Sequence, residues 1–212
     1  MADGDRVALL VAHPDDETLW AGGTVLSNPT WATHVATLCR ESDADRAPRF
    51  YEALRLLGVT GNMADLDDGP EQAPLHDHAV ETALLRGLPS RHFDRILTHS
   101  PLGEYTRHRR HEEVACAVLR LWVSGTLRAP ELWLFAYDDA QGSASPRAME
   151  NADIRVDLAP ETIRTKKQII GACYGFAEDS WEALALPERE AFWRVKTHAE
   201  ALVWLAKGTL TT

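Results

Sequence analysis

The sequence predicts a single α/β domain in which a mostly parallel sheet is flanked by helices, with the site at the carboxyl ends of the strands. Three observations predict this class. Apolar runs typical of buried strands alternate along the chain with segments of helical period. The 212 residues, 45% hydrophobic and 25% charged, are enough for one globular core over residues 1–212. Histidines and carboxylates directly follow several predicted strands, where parallel sheets place binding sites.

Charge and cysteine content narrow the class of protein. The formal net charge is −10, which argues against a nucleic-acid or anionic-membrane partner and favours a small neutral substrate. Cys39, Cys116 and Cys173 lie far apart in apolar runs without a Cys-x-x-Cys pair, so we expect buried thiols in a reducing compartment. The sequence has no basic leader before an apolar run and no stretch approaching 18 apolar residues. We therefore expect a cytoplasmic protein without a membrane span.

The first third of the chain predicts two strands and two helices. Residues 7–12 form a continuous apolar run, as in a strand buried on both faces. Residues 19–26 have helical character and include the close-packing pair Gly22-Gly23. Residues 33–39 alternate and are β-branched, which predicts the second strand. After a charged loop, apolar positions at helical spacing predict a helix over 46–57, with Gly58 placed to end it.

The middle of the chain continues the alternation. Residues 63–66 predict a weak third strand before the turn 67–70, which is placed to face the site. The remaining segments here are assigned from periodicity: a helix over 78–88, a strand over 93–99, a helix over 112–122 opened by His111, and a strand over 131–137.

The C-terminal third predicts a loop, a strand and two helices. Residues 138–153 are rich in Gly, Ser, Pro and Asp, which predicts a mobile loop. Residues 154–158 predict a short edge strand. Pro160 opens a helix that is expected to run through Tyr174, and residues 188–205 carry a final helical pattern.

The first strand ends at the charged cluster His13-Pro14-Asp15-Asp16-Glu17. Proline keeps His13 out of the helical region, so the chain turns and can present His13 and Asp16 from one loop. Three carboxylates this close repel one another away from water, and a divalent ion such as Zn²⁺ would relieve that repulsion. Asp15 would then be left for proton transfer. The alternative is that Asp15 or Asp16 only caps a helix.

A second cluster lies between a predicted strand and a predicted helix and contains His99, His108 and His111. If the turn is helical, the spacing of three puts His108 and His111 on one face, so that one ring can bind metal while the other reaches the substrate. The alternative is a solvated basic cluster formed with Arg107, Arg109 and Arg110. The shared position of the histidines beyond strand ends favours the metal site.

The two clusters together resemble the LmbE-like, PIG-L-type family of zinc-dependent de-N-acetylases. The matching stretches are Ala12-His13-Pro14-Asp15-Asp16-Glu17, Thr98-His99-Ser100 and His108-x-x-His111-Glu112-x-Val114, and the helix from Arg46 to Leu57-Gly58 is similar to the family's Arg-containing helix. The likeness extends to about Tyr174.

This resemblance implies a Rossmann-like sheet and one Zn²⁺ per chain, held by His13, Asp16 and His111. It implies that Asp15 is the general base and that His108 is the electrophile and acid. It also places Arg46 and Asp68 where family members contact substrate. The family usually has Glu three residues after that arginine, whereas this chain has Arg49, so the details of substrate recognition are expected to differ.

The implied activity is hydrolysis of the acetyl group from an N-acetylglucosamine conjugate, by water activated on the metal. Trp20 lies near the first motif and is a candidate sugar-stacking platform. His99 is a candidate for orienting a metal ligand. Two other functions stay open: a zinc amidase acting on a non-sugar or thiol conjugate, and a metabolite-binding protein without turnover. Fe²⁺ and Co²⁺ suit the same ligands as Zn²⁺.

Overall fold

The architecture is a seven-stranded sheet covered by helices on both faces, and it confirms the predicted fold class. The computed structural model describes residues 4–104, 107–138 and 145–209. Strand order is β3-β2-β1-β4-β5-β9-β8, and the first five of these strands are parallel neighbours. The strands are β1 (Arg6–Val11), β2 (Ala32–Thr37), β3 (Thr60–Met63), β4 (Arg95–Thr98), β5 (Leu132–Phe135), β6 (Tyr137–Asp138), β7 (Arg147–Ala148), β8 (Ile154–Asp157) and β9 (Arg189–Val195).

Two hydrophobic layers hold the helices against the sheet. Alternate residues of β1 serve opposite layers, because successive side chains of a strand point to opposite faces: Leu10 packs with α3 and α4, and Leu9 packs with α1 and α2. The helices are α1 (Asp16–Ser27), α2 (Arg46–Leu57), α3 (Asp77–Gly87), α4 (Arg109–Val123), α5 (Pro160–Gln168), α6 (Trp181–Ala185) and α7 (His198–Thr209). None of the helices in the described ranges is long and apolar enough to cross a membrane.

The largest departure from the predicted elements is the C-terminal helix over 188–205, which was wrong for its first half. Residues Arg189–Val195 form β9, which pairs antiparallel with β5 on one side and with β8 on the other. Its Ala191 and Phe192 are fully buried in the sheet. The helix begins only at His198, where Thr197 and Glu200 each bond the other's backbone N–H in a capping box.

Smaller departures occur at three other segments. Strand β3 begins three residues earlier than predicted and ends at Met63. In the predicted loop 138–153, Tyr137–Asp138 pairs with Arg147–Ala148, and residues 139–144 lie outside the described ones. The helix from Pro160 changes at Ile169–Cys173 into a π-helical turn, a feature that often accompanies functional sites. Strand β8 lies at the sheet edge as predicted.

Candidate metal centre and active site

One pocket of about 330 Å³ contains all seven residues that the sequence singled out as site residues. It lies beyond the carboxyl ends of β1 and β4, where the loops into α1 and α4 begin. The predicted residues on its wall are His13, Asp15, Asp16, Arg46, Asp68, His108 and His111. His13 and His111, which are 98 positions apart in sequence, meet here because β1 and β4 are parallel neighbours.

The loop from β1 to α1 is held in an unusual backbone conformation at Asp15. Its φ is +114° and its ψ −33°, a region that non-glycine residues rarely adopt and that stores strain. The buried Glu17 carboxylate accepts a hydrogen bond from the Asp15 amide at 2.9 Å. Glu17 also accepts from Tyr174 and Thr18, so it anchors the turn and does not face a cation. Of the three carboxylates whose repulsion a cation was predicted to relieve, Asp15 and Asp16 line the pocket and Glu17 does not.

Three potential ligand atoms form a nearly equilateral triangle. Nδ1 of His13 lies 3.2 Å from Oδ2 of Asp16 and 3.2 Å from Nε2 of His111. The third side, between Nε2 of His111 and Oδ2 of Asp16, is 3.4 Å. Ligand atoms about 2.0–2.1 Å from a tetrahedral Zn²⁺ lie about 3.3 Å from one another, so the spacing of this donor set fits that ion.

Hydrogen bonds on the far side of each ring set its tautomer. Nε2 of His13 lies 3.1 Å from Oδ1 of Asp68, and Nδ1 of His111 lies 2.6 Å from Oε2 of Glu104. A carboxylate can only accept, so each of these nitrogens carries its proton. In the neutral rings, the nitrogens that face Asp16 are then bare lone pairs, as metal ligands require.

The electrostatics of the cluster also favour a cation. Burial lowers the pKa of His13, but the carboxylates of Asp16 and Asp68 outweigh it and raise that pKa to about 10. The pocket therefore has negative charge that either a proton on His13 or a metal ion must offset. Groups that could hold a metal include His13 with His108 and His111, and Asp16 with His99 and His111.

Asp15 faces the pocket without belonging to this triangle. Its carboxylate lies 3.7 Å from Nη1 of Arg46, an atom that is buried and has no hydrogen-bond partner among the described residues. Burial and the neighbouring charge of Asp16 raise the pKa of Asp15 well above its usual range. A carboxylate with a raised pKa is a better proton acceptor than an ordinary one.

His108 is the N-cap residue of α4 and bonds neither Asp68 nor Glu104, the carboxylates that hold the other two histidines. Its Nδ1 is buried and, within the part of the chain described, has no hydrogen-bond partner. Its ring centroid lies 4.8 Å from those of both His13 and His111. Burial, together with the positive charges of those two rings, lowers the pKa of His108 to about 4. An orphaned polar atom at this position can serve a bound substrate.

Sequence reasoning missed Glu104 but singled out His99 as a candidate for orienting a metal ligand. Glu104 is buried and bonds both His111 and His99, whose Nδ1 lies 3.0 Å from Oε1. His99 in turn accepts a hydrogen bond from the Ala12 amide through Nε2 at 3.0 Å and stacks on His111 at 3.9 Å. The expected orienting role of His99 is thus shared with Glu104, an acidic residue between two metal-site histidines in the sequence.

The basic cluster expected as an alternative is not solvated as a unit. Arg110 is fully buried and donates to the carbonyls of Asp67 and Ala73 and to Glu113. It thereby fixes the loop that carries Asp68. Arg107, in contrast, is exposed and pairs with Glu112.

The contacts of Trp20 and Asp68 differ from those expected of a sugar platform and a substrate-binding residue. Trp20 is 1% exposed, and its indole N–H donates to Oδ1 of Asp16 at 3.0 Å, so it orients a ligand and is not a platform for a sugar. Asp68 already accepts from His13, Arg40 and Gln72, which gives it a role in holding His13. Arg49 donates to the carbonyl of Cys173 and points away from the pocket-lining set.

Comparisons with known proteins bear on the fold. No protein-family model matches the chain. A curated protein of uncharacterised function from Acanthamoeba polyphaga mimivirus is 22% identical over 144 residues, which cover 61% of this chain and 61% of that protein. The chain thus matches less than two thirds of the length of this relative.

Solved structures resemble the chain over most of its length. The N,N'-diacetylchitobiose deacetylase of Pyrococcus horikoshii has a TM-score of 0.66 at 17% identity, covering 92% of this chain and 85% of that one. A deacetylase of an antimicrobial pseudoaglycone has a TM-score of 0.62 at 15% identity, covering 92% and 98%. The 4-carboxy-2-hydroxymuconate hydratase GalB of Pseudomonas putida KT2440 has a TM-score of 0.57 at 16% identity, covering 85% and 82%. The chain therefore shares its fold with these two deacetylases, as the resemblance in its motifs implied, and also with the hydratase.

Proposed function

We propose that this protein is a metal-dependent hydrolase that removes the acetyl group from an N-acetylglucosamine-type sugar conjugate. The observation that carries the proposal is the triangle of closely spaced potential ligand atoms on His13, Asp16 and His111, with Asp15 beside it. These three residues would hold one Zn²⁺ in a single deacetylase domain. The two structurally similar deacetylases support this choice of reaction.

When bound, Zn²⁺ supplies a Lewis acid that polarises the amide carbonyl and acidifies water. Asp15 would accept the proton of the attacking water. Its placement on the pocket wall next to the ligand Asp16, and outside the donor triangle, supports this role. Its strained backbone is held by Glu17, which fixes where the base points.

The pKa of His108 would rise as negative charge develops on the amide oxygen beside it, so that the protonated ring would stabilise this charge and would then protonate the leaving amine. Its buried Nδ1 has no hydrogen-bond partner among the described residues, so a substrate oxygen would satisfy it. His111, not His108, is the proposed ligand because only His111 has a carboxylate, that of Glu104, on its far nitrogen.

Arg46 would bind the substrate through its buried, unbonded Nη1. The guanidinium lies over the ring of Phe176 at 4.4 Å, which limits its motion and aims it into the pocket. Asp68 was predicted to contact substrate as well. Since both of its oxygens are already bonded, we propose that it acts mainly by orienting His13.

The test is acetate release from a panel of N-acetylglucosamine conjugates by metal-stripped protein, with and without one equivalent of Zn²⁺. Fe²⁺ and Co²⁺ are run in parallel to identify the preferred metal. We expect acetate only in the presence of metal and unequal rates across the panel, which would rank the aglycones. Absence of acetate from every conjugate, with zinc bound at unit stoichiometry, would refute the deacetylase proposal.

A second candidate is hydration of an unsaturated acid, favoured by the similarity to the hydratase GalB. One fold can support different reactions on the same strand ends, so likeness of fold does not choose between them. The panel should therefore include an unsaturated dicarboxylic acid. Its hydration would be measured as a loss of the ultraviolet absorbance of the double bond. A zinc amidase for non-sugar conjugates would be recognised by release of other acids without acetate.

A further inference from the structure

We propose that Trp181 is the platform on which the sugar ring of the substrate stacks, in a pyranose subsite beside the metal centre. The proposal rests on the proposed function and assigns one residue to recognition of the sugar ring, through a contact that an acyclic amide would not make. No motif in the sequence pointed to this residue, which lies beyond the segment that resembles the deacetylase family.

Trp181 lies on the wall of the same pocket as Asp15 and His108. It is the first residue of α6, whose start is fixed by Ser180: the Ser180 hydroxyl accepts a hydrogen bond from the Ala183 amide at 3.2 Å. Its side chain is half-buried. The ring is therefore held by the fold yet forms part of the surface that a ligand would meet.

Trp20 and Phe176, the other aromatic rings near the pocket, offer less of their ring faces to a ligand. Trp20 is almost fully buried, bonds Asp16, and lies behind Trp181 at a centroid distance of 6.3 Å. Phe176 carries the guanidinium of Arg46 on its face. Of the two tryptophans that line the pocket, Trp181 is thus the one with appreciable exposure.

The groups around Trp181 complement a sugar ring. A pyranose has an apolar C–H face that stacks on an indole and an edge of hydroxyls that need donors and acceptors. Glu182 lines the pocket next to Trp181 and provides an acceptor. The unbonded Nη1 of Arg46 provides a donor. A pocket of about 330 Å³ is suited to one such ring, with the remainder of a conjugate extending outward.

The segment that carries Trp181 is fastened to α2, the helix that carries Arg46. Arg49 donates to the carbonyl of Cys173 at 2.9 Å, at the end of the π-helical turn. Gly175 follows with φ +79°, and a Cβ there would lie 2.6 Å from Nη1 of Arg49. Arg49 thus packs Cys173 and Gly175, which precede Trp181 in the chain, against the helix that carries Arg46.

The test compares zinc-loaded wild type with Trp181→Ala, Trp181→Phe and the control Leu184→Ala. Leu184 lies on the same short helix, is 51% exposed and does not line the pocket. Steady-state kinetics are measured on methyl N-acetylglucosaminide and on the acyclic amide N-acetylethanolamine. Calorimetric binding of the glycoside is measured in an Asp15→Asn background, where turnover is suppressed, with and without Trp181→Ala.

We expect Trp181→Ala to raise KM for the glycoside about tenfold with little change in kcat, and Trp181→Phe to restore most of the loss. The acyclic amide and Leu184→Ala should show no such change. An active enzyme whose KM and glycoside binding are insensitive to Trp181→Ala, or whose two substrates are weakened equally, would overturn the subsite and leave the deacetylase proposal standing. Glycoside binding that depends on Trp181 without any acetate release would support the subsite and overturn the deacetylase proposal.

Discussion

Helix α1 touches two groups of buried charge, and the groups differ in how completely they are satisfied. In its middle, the fully buried Lys166 donates to Glu190 at 2.6 Å and to the Leu19 carbonyl at 3.1 Å. Glu190 also accepts from the amides of Gly23 and Thr24 at 2.8 and 2.6 Å. At the start of the same helix, Asp16 faces two imidazole lone pairs that have no proton to share when the rings are neutral.

This difference distinguishes the Lys166–Glu190 pair, which stabilises the fold, from the cluster of His13, Asp16 and His111, which is proposed to bind a metal ion. The Lys166 and Glu190 charges neutralise each other, and both side chains also bond backbone groups of α1, so no further charge is needed there. The metal centre has its outer nitrogens satisfied by Asp68 and Glu104, while its inner donors converge on one point. Burial of charge alone would not distinguish the two groups; the direction in which the lone pairs point does.

The largest effect is expected from Asp15→Asn, because the amide keeps the shape of the side chain and cannot accept a proton. We expect activity to fall by up to about 10⁴-fold while zinc stays bound at one equivalent per chain. Metal content by mass spectrometry and turnover are measured on the same preparation. Near-normal turnover would remove Asp15 from the base role.

The substitution His108→Ala tests whether His108, like Asp15, acts in catalysis and is not a zinc ligand. It should also lower turnover, by about 10²- to 10⁴-fold, and retain zinc. Asp45→Asn serves as a control for charge removal, since Asp45 pairs with Arg49 on the surface at 2.9 Å. Stoichiometric loss of zinc from His108→Ala would mean that the roles of His108 and His111 are exchanged.

The fully compensated pair is tested by Lys166→Met. Removing the ammonium leaves Glu190 as an uncompensated buried charge, which costs about 3–5 kcal/mol in the free energy of unfolding. Denaturant unfolding of the metal-free protein measures this loss. The folded fraction should keep the zinc affinity of the wild type, because the pair bonds backbone groups of Leu19, Gly23 and Thr24 and none of the three residues proposed to bind zinc. A loss of metal affinity without a loss of stability would contradict the separation drawn between the two clusters.

The residues that the sequence singled out meet in one pocket, whereas some of the predicted elements around them differ from the structure. His13, Asp15 and Asp16 are contiguous at the end of one strand, and His108 and His111 flank the start of one helix, so their chemistry is visible locally. The role of Glu104 depends on a turn that brings it back to two histidines, which no periodicity describes. The subsite at Trp181 likewise depends on how the C-terminal segment packs on α2.

Strand β9 was missed because its defining contacts are distant in sequence. Glu190 resembles an exposed helical residue until Lys166, 24 positions earlier, is placed against it. A local signal did exist farther on, since Thr197-x-x-Glu200 is a capping-box pattern that starts α7 at His198. That pattern argues against one helix over 188–205, because a capping box bonds the backbone N–H groups that are free only at the start of a helix.

The outer carboxylates of the metal centre should matter less than its base. Glu104→Gln keeps the size of the side chain but weakens its hold on His111, so zinc affinity is expected to fall about 10- to 100-fold. Competition with a zinc chelator measures it. Glu112→Gln, which weakens the pair between Glu112 in the first turn of α4 and Arg107 before that helix, is the control and should leave affinity unchanged. Equal effects of the two variants would mean that Glu104 acts through general charge and not through His111.

The smallest effect is expected at His34, a histidine whose nitrogens both have partners in the fold. It lies 2.9 Å from the Thr60 hydroxyl and 2.9 Å from the Gly87 carbonyl, and burial lowers its pKa below the ordinary value of 6.5. A lowered folded-state pKa means that the folded protein prefers the neutral ring. Its contribution to stability is therefore present above pH 6.5 and is lost as the pH falls below that value. Urea unfolding of wild type and His34→Gln at pH 8 and pH 5.5 should show a stability difference that shrinks at the lower pH. A difference independent of pH would assign His34 a packing role alone, with no proton linked to folding.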